Sequence, residues 1–198
     1  MASGANISSL NNLTGRTVLS RASANKLGQV HDLIMEPVKG TLAGIAVNMV
    51  DGKLHYVEAG EIYSIGTDAV MVNNDRSAIP PESSPVKDLP LALNKLVGVQ
   101  IITEGGKVLG EIANIFMHVA EEPVLVYEVR SSILDKLLGR SLFFPASQGH
   151  SFSASERRLV VAEDTAEKAD GTLDALSNRL FGPPREDDPV VVIRSRGY

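Results

Sequence analysis

Short apolar stretches alternate with glycine-centred turns along most of this chain. From Leu13 to Asn74, Gly15, Gly28, Gly40, Gly52 and Gly66 fall 12 to 14 residues apart, and the segments between them are rich in Val, Ile, Leu and Tyr. Regular turns between short apolar segments predict a small β-sandwich or barrel. Lys39-Gly40 and Asp51-Gly52 are turn dipeptides, because glycine enters positive φ without a Cβ clash. Further on, Glu104-Gly105-Gly106 predicts a hairpin turn, and Ile112–Ala120 and Val124–Arg130 predict strands separated by Glu121-Glu122-Pro123. In the second strand Leu125, Tyr127 and Val129 share one face and Glu128 and Arg130 the other, the alternation of a half-buried strand.

The pattern occurs twice. Leu13-Thr14-Gly15-x-x-Val18 returns as Leu96-Val97-Gly98-x-x-Ile101, and Leu27-Gly28-x-Val30-x-Asp32 returns as Leu109-Gly110-x-Ile112-x-Asn114. The offsets are 83 residues for the first glycine and 82 for the second, so one residue is lost between them. The closing parts also match: Val57-Glu58-Ala59 with Phe144-Pro145-Ala146, and Ala69–Val72 with Arg158–Val161. Self-similarity at this period predicts two copies of one small β-rich domain, at 13–75 and 96–164. Domains of that size are marginal alone, so the copies are expected to pack together.

The flanking segments read differently. Residues 1–12 are small and polar and predict a flexible lead. Residues 76–95 contain Pro80, Pro81 and Pro85, which cannot hold a ladder or a helix, and predict an extended linker. Ile133–Phe144 is an insertion in the second copy. Its Ser132-Ile133-Leu134-Asp135 fits a capping box, with Leu134, Leu137 and Leu138 on one side of a short helix ended by Gly139. Residues 165–182 predict a helix, with Thr165 as cap, Ala169, Leu173, Leu176 and Leu180 at helical spacing, and Gly182-Pro183-Pro184 as its end. Residues 183–198 form a tail whose Pro189–Arg194 is β-like and suited to pair with a sheet edge.

Composition narrows the functional classes. The net charge of −5 and pI near 5.4 argue against broad phosphate-backbone binding. The absence of cysteine excludes disulfides and thiolate metal sites and suits a cytoplasmic location. Met1–Asn12 has neither a basic residue nor an apolar core, so it does not read as a secretory signal. The longest apolar runs, Leu42–Val47 and Val190–Ile193, are far short of the roughly 20 residues that span a bilayer. Any membrane contact is expected to be peripheral, through a partner.

The order of these motifs resembles the PRC-barrel family, with Ile62-Tyr-Ser-Ile-Gly-Thr-Asp-Ala-Val-Met-Val72 the closest single segment. The resemblance covers about two thirds of the chain and implies small, largely antiparallel β-barrels. Settings of the family include the cytoplasmic domain of the photosynthetic reaction-centre H subunit and the C-terminal domain of the ribosome-maturation factor RimM. Both imply docking on other macromolecules. The chain lacks the H subunit's transmembrane helix, shows no preceding RimM-type domain, and has no positions matching the H subunit's proton-conducting residues.

Candidate chemistry is sparse. His31, His55, His118 and His150 have no metal-pair spacing, so neither metal nor cofactor is expected. Asp32 corresponds to Asn114, and an amide cannot replace a carboxylate in acid–base work. The role the two share is side-chain to backbone hydrogen bonding in a turn or bulge. No Gly-x-Ser-x-Gly elbow is present, Gly105-Gly106-Lys107 lacks phosphate-loop spacing, and no βαβ unit surrounds Gly15 or Gly98. No catalytic residue is assigned, and an enzyme is not expected. Arg130, Lys136, Arg140, Arg157 and Arg158 form a cationic cluster in sequence, interleaved with Glu128, Asp135 and Glu156, as on a solvated face.

The expected fold is therefore mainly β: two tandem small antiparallel barrels, a C-terminal helix and a β-tail. The expected function is a non-catalytic adaptor docking on a protein complex, in a membrane-associated or photosynthetic reaction-centre setting. The alternative is a ribosome-associated maturation factor resembling RimM. The candidate docking residues are Ile133, Leu134, Leu137, Leu138, Phe143, Val190 and Val192, because one barrel cannot easily bury the whole apolar insertion.

Overall fold

The computed structural model describes residues 7–118, 123–131 and 141–182. They are mainly β and form two curled sheets. The first half supplies β2 (Thr17–Ser20), β3 (Lys26–Glu36), β4 (Thr41–Met49), β5 (Leu54–Glu58), β6 (Ile62–Ile65) and β7 (Ala69–Val72). The second supplies β8 (Gln100–Thr103), β9 (Val108–His118), β10 (Val124–Arg130), β11 (Leu142–Pro145), β12 (Gly149–Ser153) and β13 (Arg158–Val161). Strand order is β5-β4-β3-β2-β7-β6 in one sheet and β11-β10-β9-β8-β13-β12 in the other, so the sequence repeat is a repeat of topology. The barrels are not wholly antiparallel, because β2 runs parallel to β7 and β8 parallel to β13.

The two shared motifs have matching physical roles. Gly15 and Gly98 each sit at φ +81°, and their amides donate to Val30 O (2.8 Å) and Ile112 O (2.7 Å). Each tight turn thereby presents its following strand to the long strand of its half. Gly28 and Gly110 lie where two backbones nearly touch. A Cβ at Gly28 would stand 2.1 Å from Asn48 O, and one at Gly110 would stand 2.3 Å from Arg130 O. Just beyond, both long strands slip register: β3 against β4 between Val30 and Asp32, and β9 against β10 between Ile112 and Asn114. One extra residue at each bulge, His31 or Ala113, turns the next side chain toward the chain's interior connections.

The segments outside the two copies carry structure of their own. The lead, expected to be flexible, contributes β1 (Ile7–Ser9) and a helical turn α1 (Leu10–Leu13). β1 pairs antiparallel with the end of β9, in the other half. The proline-rich segment, expected to be an extended linker, lies across the outer face of the first sheet. Ile79 bridges Tyr56 by two hydrogen bonds of 2.8 and 2.9 Å, and Pro90 O accepts from Met35 N at 3.1 Å. Proline lacks only the donor, and its carbonyl still completes a strand. Val86, Leu89 and Leu91 then pack on Ile34, Ala46 and Tyr56 as a small second core.

The second half repeats this arrangement at its own end. Asp170 bridges Phe143 by bonds of 2.8 and 2.9 Å, as Ile79 bridges Tyr56. The predicted helix therefore starts later than Thr165. It is α2 (Leu173–Phe181), capped by Thr172 Oγ1 accepting from Ala175 N, with a separate 3-10 turn at Glu163–Ala166. Phe181 stacks on His118 with ring centroids 3.7 Å apart. Coverage of this outer face explains a second difference. Val126 and Glu128, on the face expected to meet solvent, are buried along with Leu125, Tyr127 and Val129.

One apolar cluster runs through both halves, from Val18, Leu33 and Ile45 to Ile101, Ile115 and Tyr127. The halves also touch at the Lys39-Gly40 turn, where a Cβ on Gly40 would lie 2.2 Å from the Ala146 carbonyl carbon. Within this core the Tyr127 hydroxyl is buried without a hydrogen-bond partner, and burial raises its pKa above the ordinary tyrosine value. Its counterpart across the repeat is the apolar Ile45, to judge by the matching pairings Leu33↔Ile45 and Ile115↔Tyr127. An unpaired buried hydroxyl costs about 1–3 kcal/mol. Tyr127→Phe is therefore expected to stabilise the chain by about 1 kcal/mol, read as a higher midpoint in thermal unfolding.

Candidate docking site at the joint between the two halves

The joint is built from Asp32 outward. The bulge in β3 aims its carboxylate, 1% exposed, at the segment leading into the second half. Its Oδ1 accepts from Leu33 N (2.7 Å) and Leu93 N (3.0 Å), and its Oδ2 from Asn94 Nδ2 (3.0 Å) and Asn94 N (3.3 Å). A buried carboxylate is tolerable when donors surround it in this way. Asn114 does the reciprocal work in the other half: Oδ1 accepts from Ile115 N (2.9 Å) and from Ser9 Oγ (3.3 Å) of β1. Each half thus fastens the segment that leads into its sister.

A second matched pair ties the turns. Asp75 accepts from Ser23 Oγ (2.6 Å) and Asn25 Nδ2 (3.1 Å), and Glu163 accepts from Gly105 N (2.7 Å). The hydroxyls of Ser20 and then Ser23, with Asn25, hold the Asp75 carboxyl below its ordinary value. The Thr103 hydroxyl, the Gly105 amide and the charge of Lys107 do the same for Glu163.

Beside the Asp32 clasp an open cleft of about 530 Å3 is lined by both halves. Tyr56, Leu89 and Leu91 form its apolar side with Pro37 and Val38, and Phe152 closes it from the second half. Lys87 and Lys95, with Glu36 and Asp88, supply charge at its margin. An apolar floor with a few charged groups is the usual make-up of a site that accepts an anchoring side chain. A larger depression, about 730 Å3, lies within the first half near Glu61 and Asp75. Its carboxylates already serve the fold, Glu61 through Ser77 Oγ (2.6 Å) and Asp75 as above.

The structure brings few of the sequence candidates together. Ile133, Leu134, Leu137, Leu138, Val190 and Val192 lie outside the described residues. Phe143 pairs in β11 against Glu128 of β10 and packs on Phe116, with ring centroids 6.1 Å apart. Phe144, from the same apolar insertion, is wholly buried edge-on to Tyr127. The histidines are dispersed: His31 Nδ1 lies 3.4 Å from Asn48 Nδ2, His150 Nδ1 lies 3.3 Å from Glu104, and His118 stacks on Phe181. Among the described residues, no three His, Asp or Glu side chains gather as metal ligands.

The cationic cluster is also divided. Arg130 pairs with Glu128 at 2.8 Å, Arg157 donates to Val97 O at 2.8 Å, and Arg158 lies 3.8 Å from Glu156. Lys136 and Arg140 lie outside the described residues. Sequence reasoning missed Tyr56, Leu89, Leu91 and Phe152. The available signal was apolar: a free tether has no use for Val86, Leu89 and Leu91.

No curated protein matches the chain. Among solved structures it is similar to a protein described as a 16S ribosomal RNA processing protein, RimM, from Pseudomonas aeruginosa. The identity is 14%, with 70% of this chain and 94% of that one covered at a TM-score of 0.31. The family model of the PRC-barrel domain matches residues 5–79, from the leader strand to the residue that bridges Tyr56. Over that stretch the chain is similar to PRC-barrel domains.

Proposed function

We propose that the chain is a non-catalytic adaptor that docks on a protein complex, with the cleft at the joint as its anchoring site. The observation that carries this reading is the shared lining. Residues of the first sheet, the connecting segment and Phe152 of the second sheet meet around one open apolar hollow, which neither half offers alone. The polar groups at the joint are spent on fastening: Asp32 accepts from Leu93 and Asn94, and Asn114 accepts from Ser9. Protein rather than nucleic acid is the favoured partner, because Arg130, Arg157 and Arg158 are engaged within the chain and the net charge is −5. No helix among the described residues is long and apolar enough to cross a membrane, and a membrane-associated assembly would be met through the partner.

Lys87 and Lys95 are exposed, so reversing both to Glu is expected to change stability by no more than about 0.5 kcal/mol. The same change is expected to lower recovery of a captured complex from native cells by about tenfold, since margin charges steer and hold partners. Purification with and without membranes then decides between a membrane-associated assembly and another setting. Undiminished capture by the double variant, or salt-sensitive co-sedimentation with a ribosomal subunit, would count against the proposal.

A further inference from the structure

We propose that β1 exchanges between two copies of this chain, giving a closed strand-swapped dimer in which the leader of each copy completes β9 of the other. The inference begins from where leaders go within one chain. The segment leading into the second half, Pro90–Leu91, pairs with β3 of the first half. The segment leading into the first half, β1, pairs with β9 of the second. Neither leader pairs with the long strand of its own half. A second chain presents the same β9 edge, so exchange reproduces the ladder of three residue pairs between copies, and the reciprocal exchange closes with two-fold symmetry.

The two fastenings are unequal, and the weaker one holds β1. Asp32 holds Leu93 and Asn94 through three bonds. Asn114 holds β1 through the single Ser9 Oγ bond at 3.3 Å, beyond a ladder of three residue pairs. Exposed Asn11 and Asn12 follow, and the chain is next anchored at Leu13, 2% exposed. In the exchange the turn α1, between β1 and the core, opens as the hinge. When β1 leaves, Phe116–His118 becomes an open strand edge, which recruits another strand.

The chain has no native cysteine, so introduced thiols report exchange directly. Ser9 and Phe116 are register partners. Full-length Ser9→Cys and Phe116→Cys chains are mixed at high concentration, warmed below the unfolding midpoint and oxidised. The mixed disulfide dimer is expected at a level at least about tenfold above a control pair of Val50→Cys with Phe116→Cys, because strand pairing raises the effective thiol concentration. In a chain without cysteine, Asn114→Ala is expected to speed the approach to the monomer–dimer equilibrium about fivefold by removing its hydrogen bond to Ser9 of β1. It leaves the final dimer fraction unchanged, because monomer and swapped dimer lose the same bond. Mixed disulfide at the control level, or a monomer mass at every concentration by light scattering, would overturn the proposal. So would a chain that stays monomeric yet binds a free peptide of residues 5–14 at β9.

Discussion

Replacing Asp32 with alanine is expected to lower the unfolding free energy by about 3–4 kcal/mol, more than any other exchange of one side chain in the joint. The carboxylate is buried and accepts four hydrogen bonds. Its loss leaves the amides of Leu33, Leu93 and Asn94 without their partner at the place where the connecting segment meets the first sheet. For a chain of this length the loss corresponds to a fall of about 10 °C in Tm. Asp32→Asn should cost about half as much. Asn114 shows that an amide serves at the equivalent bulge, with one oxygen accepting from Ile115 N and Ser9 Oγ. At Asp32 an amide keeps one acceptor oxygen and turns a donor toward Asn94. A full loss in both variants would mean that the charge, rather than the acceptor geometry, holds the joint.

The second large effect is expected at the paired glycines. A methyl group on Gly28 would stand 2.1 Å from Asn48 O, and one on Gly110 would stand 2.3 Å from Arg130 O with φ at +141° besides. Both obstacles are backbone atoms of a neighbouring strand, which a side-chain rotation cannot clear. Gly28→Ala and Gly110→Ala are each expected to cost about 3 kcal/mol or more, from forced separation of β3 from β4 and of β9 from the turn after β10. Gly52→Ala separates this cause from backbone strain alone. Gly52 has φ +83° but nothing within 4 Å of a built Cβ, and its cost should be about 1 kcal/mol. Equal costs at all three positions in urea titrations would contradict the close-approach account.

Both effects fall on residues that the repeat had already marked. Leu-Gly-x-(Val/Ile)-x-(Asp/Asn) was visible in the sequence because turns, bulges and close approaches restrict residue type locally. The kind of role for Asp32 was visible too, since Asp and Asn share backbone hydrogen bonding. Its partners were not: Leu93 and Asn94 lie 61 and 62 residues away, and nothing in local periodicity reports a partner at that distance. Ile7–Ser9 holds one apolar residue, which by itself predicts a flexible lead, and it becomes a strand only by lying along β9. Prolines exclude a regular ladder and so predict an extended linker, yet the carbonyl of Pro90 and the amide of Ile79 bridge to the sheet. Alternation places Glu128 in solvent, because it assumes one wet face. Here Arg130 and Ser141 bond to it within a covered face.

The candidate site was less legible than the fold. The cleft depends on how two sheets and a connecting segment meet, and its residues are distant in sequence. Within each segment they look like ordinary strand or linker positions. The apolar insertion is the stronger signal in the sequence, and part of it is core: Phe144 packs beside Tyr127, and Phe143 lies against Phe116.

The central claim is that the two halves are one interlocked unit, joined by exchanged leaders, reciprocal Asp32 and Asn114 clasps and a shared core. Differential scanning calorimetry of the full chain and its Asp32→Ala variant tests it most directly. The account predicts a single transition in each, with calorimetric and van't Hoff enthalpies equal, and the whole transition shifted down in the variant. Two separable transitions, of which Asp32→Ala moves only one, would contradict it.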